Sequence, residues 1–149
     1  GNTMTFINCS RNLIVDSLKN LKIVSHDWWS YKIISGSGGN IFYDSQPTVK
    51  YRQHNGNMQG SNNKISDRLF RVKSLIKGNF RNWNNVNISS LELNKNLLSS
   101  ENKKVLESFI LSRNSLLLKR IYLFFKTGIH RQTYLGNLGL FCALILKKL

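Results

Sequence analysis

The stretch NIFYDSQPTVKYRQH, residues 40 to 54, decides how this chain reads. NIFYDS (40–45) alternates like a strand, Gln46 and the only proline, Pro47, turn the chain, and TVKYRQH (48–54) alternates again. Alternation with period two places one set of side chains on each face of an extended backbone, so the stretch predicts a strand pair. Just upstream, GSGG (36–39) stops a helix in which Trp29 and Ile33 fall four apart and share a face, with Asp27 capping or opening it. Further back, TMTFI (3–7) reads as a strand and Ser10 as the cap of a short helix through RNLIVDSL. Residues 1 to about 60 therefore predict an α/β piece: strand, helix, helix, strand pair.

Downstream the pattern changes. NGNMQGSNN (55–63) has no hydrophobic periodicity and reads as a loop. ISDRLFRVKSLIKG places Ile65, Leu69, Val72 and Ile76 at helical spacing, with Gly78 ending the helix. NFRNWNNVNISS (79–90) reads as a polar connector. A long helix opened by Ser99 or Ser100 is predicted to carry Val105, Leu106, Phe109, Leu117, Ile121 and Phe125, with a break at Gly128.

Composition bounds the function. Three Trp, eight Phe and five Tyr in 149 residues are too many aromatics for a disordered tail, and the length suits one ordinary domain. A net charge of +15 draws the molecule to polyanions: nucleic acid, an anionic membrane surface or phosphate-bearing substrates. Cys9 and Cys142 have no metal-like spacing, which leaves a disulfide framework and a zinc site unsupported and makes a reducing compartment the expectation. No signal peptide is expected from GNTMTFINCS, and the apolar run LGLFCALIL (138–146) is roughly half the length of a bilayer span. After Glu107 there is no acidic side chain, while Arg113, Lys119, Arg120, Lys126, Arg131, Lys147 and Lys148 interleave with apolar residues. That mixture fits either a segment lying on an anionic membrane surface or a bundle with a solvated basic face.

Three motifs in order carry a resemblance: GNTMTFIN (1–8), HDWWSYKIISGSGGNIFYD (26–44) and YRQHNGN (51–57). Together they resemble the family 2 glycosyltransferases, in the bacterial rhamnosyltransferase-like branch that builds surface polysaccharide. The resemblance is sharp over residues 1 to 60 and only compositional beyond them. It implies the C-terminal part of a GT-A-like α/β fold, with residues 1–63 as the acceptor-side part of the catalytic domain and 64–149 as a basic helical C-terminal region. The family's nucleotide-binding half, with its Asp-x-Asp motif, has no counterpart here; Asp44 in YDSQ is one carboxylate on the wrong side of HDWW. The chain thus looks like the C-terminal half of such an enzyme, inactive by itself, with the N-terminal half as a partner if it is encoded separately.

The resemblance implies transfer of a sugar, rhamnose among the candidates, from a nucleotide sugar to a glycan or lipid-linked acceptor. The expected place is cytoplasmic, extending to the inner face of the membrane. Inverting transfer needs a base for the acceptor hydroxyl, and a carboxylate beside an apolar wall suits that task. Asp27 corresponds to the family's base, and Trp28 and His26 would meet the acceptor; on residue types alone Asp27 reads first as a helix cap and His26 as a structural neighbour, and the resemblance turns the reading of Asp27 towards the base. Trp29 reads as core. Arg52 and Gln53 are the diphosphate candidates, and His54 the ligand of a divalent metal, Mn or Mg, whose other ligands would come from the absent half; otherwise His54 is an ordinary loop histidine. The competing reading, from a different class, is a basic nucleic-acid-binding module, which the charge favours. The lack of a recognisable helix-turn-helix, RNA-recognition or zinc signature weighs against it, and no nucleic acid is the expected partner.

Overall fold

The computed structural model describes residues 4–19, 21–44, 46, 73–75 and 77–149. Ile7, with extended backbone, leads into α1 (Asn8–Ser17). This helix begins before Ser10, which lies inside it and is not its cap. Ser25 then precedes α2 (His26–Gly36), and Asp27 falls in its first turn. The GSGG stop has a clear cause. Gly38 takes φ +88°, a left-handed conformation that only glycine adopts without strain, and Gly39 N–H reaches back to the Ile34 carbonyl at 2.9 Å.

After Gly78, again left-handed at φ +80°, comes α3 (Asn79–Leu93), then a single 3-10 turn (Lys95–Leu97). Ser99 Oγ accepts the Asn102 amide at 3.2 Å and caps α4 (Ser100–Asn114). α5 (Leu117–Lys126) ends before Gly128 at φ +68°, and Thr133 caps α6 (Tyr134–Ile145) by accepting Gly136 N–H at 3.1 Å.

The described residues are helical and contain no strand, which overturns the α/β, GT-A-like expectation. Residues 4–7 form no ladder with any described residue, only Ile7 being shown as extended, and 41–44 are irregular with Phe42 and Tyr43 each 91% exposed. Alternation marks a strand only when a neighbour supplies ladder bonds and a surface to bury one face, and these stretches have neither among the described residues. TVKYRQH and the loop 55–63 lie outside those residues, as does the helix expected from Ile65 to Gly78 up to Val72 and at Ile76; its residues 73–75 are helical.

Two further corrections concern helices. The polar connector of residues 79–90 belongs to α3, because Phe80, Trp83, Asn87, Ile88 and Leu91 recur at helical spacing and that face packs inward; packing overrides the poor helix propensity of its asparagines. The long helix expected beyond Ser99 is two, interrupted at Ser115 and Leu116, whose backbones are extended.

Trp29 and Ile33, both fully buried, centre the first core with Ile34, Leu98 and Leu106. Leu13 and Ile14 of α1, Leu91 of α3 and Ile110 of α4 pack around them. Polar bonds fix the approach of α4 to the end of α2: Asn102 Nδ2 donates to the Ser35 and Gly36 carbonyls at 3.2 and 3.1 Å, and Ser99 N–H to Gly36 O at 2.9 Å. Ser90 Oγ ties α3 to the Lys22 carbonyl at 2.7 Å. Elements from the first 44 residues and from beyond residue 78 therefore share one core.

The second core joins Phe124, Ala143, Leu144 and Leu149, flanked by Phe109, Ile121, Leu140 and Phe141. Arg120 is buried beside it. Its guanidinium donates to the Leu144 and Ile145 carbonyls, at 3.1 and 3.2 Å, and to Ser115 O at 2.8 Å. These oxygens lie at the C-terminal ends of α6 and α4, where the helix dipoles are negative, so the cation is held by two helix ends.

Candidate functional site

Asp27 occupies the first turn of α2, where the exposed N–H groups and the helix dipole favour a negative side chain. Its side chain is 38% exposed, and His26 Nε2 approaches Asp27 Oδ1 at 2.7 Å. The imidazole is itself well exposed, so the pair lies open to solvent.

The two tryptophans divide as the helical repeat requires. Trp29 turns inward, and Trp28, one position round, stays 39% exposed. Trp28 meets Trp83 of α3 edge to face, with centroids 5.8 Å apart and planes at 76°. Trp83 in turn meets Phe80 at 5.2 Å and 77°. The result is an aromatic ledge, Trp28–Trp83–Phe80, beside the first turn of α2, whose half-exposed indole offers a flat apolar face.

Lys32, one turn beyond Trp28, holds its Nζ 5.6 Å from the Trp28 ring centroid. Burial pushes the ammonium down to about 8, so at neutral pH it remains mostly charged and donates readily. Lys32 also lines a cavity of about 430 Å³ with Tyr31, Asn87, Leu106 and Phe109. Asn87 is 3% exposed, and neither its Oδ1 nor its Nδ2 has a hydrogen-bond partner among the described residues.

The structure thus brings Asp27, His26 and Trp28 together, three of the six residues singled out from sequence. The other three, Arg52, Gln53 and His54, lie outside the described residues. Among the described residues no three His, Cys, Asp or Glu gather as metal ligands. Trp83, Phe80 and Lys32 carried no functional argument in the sequence. Lys32 was findable, since i and i+4 positions on a helix adjoin. Trp83 was not, because its segment reads as a connector until its packing is seen.

Comparison with models of known protein families, with curated proteins and with solved structures found no match.

Proposed function

We propose that the chain is the acceptor-side portion of a glycosyltransferase that moves a sugar, rhamnose among the candidates, from a nucleotide sugar to a glycan or lipid-linked acceptor. The observation that carries this reading is Asp27, a half-exposed carboxylate on the first turn of α2 with His26 at 2.7 Å and the Trp28 ledge beside it.

In this reading the acceptor sugar lays its apolar face on Trp28 and presents a hydroxyl to Asp27. The carboxylate takes the hydroxyl proton as the oxygen attacks the anomeric carbon. One C–O bond forms, the bond to the diphosphate breaks, and the nucleoside diphosphate leaves with the electron pair. His26 keeps the carboxylate oriented. Arg52 would neutralise the leaving diphosphate and Gln53 would donate a hydrogen bond to it, and a nucleotide-binding part from elsewhere in the protein or from a partner would hold the donor. A divalent metal at His54 would supply charge stabilisation to the diphosphate; among the described residues no metal centre forms.

The test is incorporation of label from a panel of nucleotide sugars, with manganese, into the glycan and lipid fractions of extracts from cells with and without this gene product. Incorporation that depends on the protein and vanishes with Asp27→Asn, while circular dichroism is unchanged, supports the proposal. Incorporation that is equal in cells with and without the protein, or equal for Asp27→Asn, overturns it.

A further inference from the structure

α5 is buried on one side and apolar but exposed on the opposite one. Arg120 and Phe124 point inward, 3% and 4% exposed, and Thr127 follows them. On the other side Leu118, Tyr122 and Phe125, at helical spacing i, i+4 and i+7, are 84%, 66% and 66% exposed. Lys119 and Lys126 are exposed along one flank of that stripe. The neighbouring α6, joined to α5 by the Phe125–Phe141 ring contact at 6.2 Å, adds Leu135 and Leu138 at 71% and 59% exposure. An outward apolar stripe with a cationic edge, on a helix whose inward face is already satisfied by the core, calls for an external surface.

We infer that the outer face of α5 lies on an anionic phospholipid surface, with Leu118, Tyr122 and Phe125 entering the headgroup boundary and Lys119 and Lys126 meeting the phosphates. The inference is independent of the transfer reading. Charge selects the occupant. Residues 108–149 hold seven Lys and Arg and no acid, so a second copy would set cation against cation across the contact. A nucleic acid would answer the lysines and leave the leucine uncovered. An anionic bilayer answers both, and it needs no spanning segment: among the described residues no helix is long and apolar enough to cross a membrane.

The experiment is flotation of the purified chain with phosphatidylcholine vesicles, with and without phosphatidylglycerol. Wild type should float with the anionic vesicles and stay down with the neutral ones. Lys119→Gln with Lys126→Gln should weaken binding by about thirtyfold, since each basic residue near such a surface contributes about fivefold. Leu118→Ser with Tyr122→Ser, both off the α5–α6 seam, should abolish flotation with unchanged helicity. Wild type that stays down with anionic vesicles overturns the inference, as does a Leu118→Ser, Tyr122→Ser variant that still floats. Sedimentation showing a dimer that this same double variant dissolves would assign the stripe to self-association and overturn it too.

Discussion

Trp29 Nε1 donates to Ser17 Oγ at 2.9 Å across the contact of α1 with α2, where the tryptophan is fully buried and the serine 1% exposed. Ser17 Oγ in turn donates to the Ile14 carbonyl at 2.7 Å, so the hydroxyl is used in both directions. Ser17→Ala should cost about 1–3 kcal/mol, the penalty for stranding a buried indole N–H. Trp29→Ala should cost about 3–5 kcal/mol through lost burial and the cavity left behind. Urea denaturation followed by circular dichroism reads both, and a Ser17→Ala variant as stable as wild type would show that the bond contributes nothing.

Asp27 is tested apart from the fold it sits on. Its side chain is more than a third exposed and belongs to neither core, so Asp27→Asn should keep the fold and cost about 1 kcal/mol or less at neutral pH, the share of the α2 dipole and the His26 contact, read by urea denaturation. Sugar transfer by the enzyme that contains this chain should fall by at least about a hundredfold, the usual scale for loss of a general base. His26→Ala should reduce transfer less, since it removes orientation and not the base.

Lys32 gives a pH signature. Its folded value of about 8 lies below the ordinary 10.5, so between those values the unfolded chain binds a proton that the folded chain does not. Stability contributed by this site therefore rises with pH across that window, and the penalty is fully present below it. Lys32→Met should raise the midpoint at pH 7, and the difference between wild type and variant should shrink as pH climbs from 8 to 10.5. A difference that stays constant with pH would mean that the ammonium is not penalised by its surroundings.

Asn87 is buried with its amide unanswered among the described residues, beside Ile88 in a face that packs inward. Asn87→Leu should stabilise the protein by about 1–2 kcal/mol, because an unsatisfied polar group is replaced by an apolar one of similar size. Thermal unfolding measures it, and destabilisation would show that the amide is satisfied in solution.

Local signals with a covalent basis survived the passage from sequence to structure. The glycine stop after α2, Ser99 as a cap and Gly128 as a break all follow from backbone geometry that one residue controls. The inward turn of Trp29 was equally legible from its spacing with Ile33. The strand readings of TMTFI and NIFYDS were not, because period-two alternation is half of a relationship whose other half is a neighbouring strand. α3 was hidden by its asparagines, and with it the Trp83 side of the ledge. Within the site, Asp27, His26 and Trp28 could be named from one tetrapeptide, whereas Trp83, which Trp28 meets, lies 55 residues further on and reaches it only through the packing of the helices.

Arg120 is anchored by carbonyl oxygens, not by a carboxylate. Acid unfolding works chiefly by protonating carboxylates that the native state keeps ionised. No acidic side chain follows Glu107, so α5 and α6 themselves offer a falling pH no side-chain carboxylate to neutralise. The corner should stay knitted together in acid that protonates Glu107 and ends its pairing with Lys95, and acidification should loosen the elements before α5 first, since every acidic side chain precedes it.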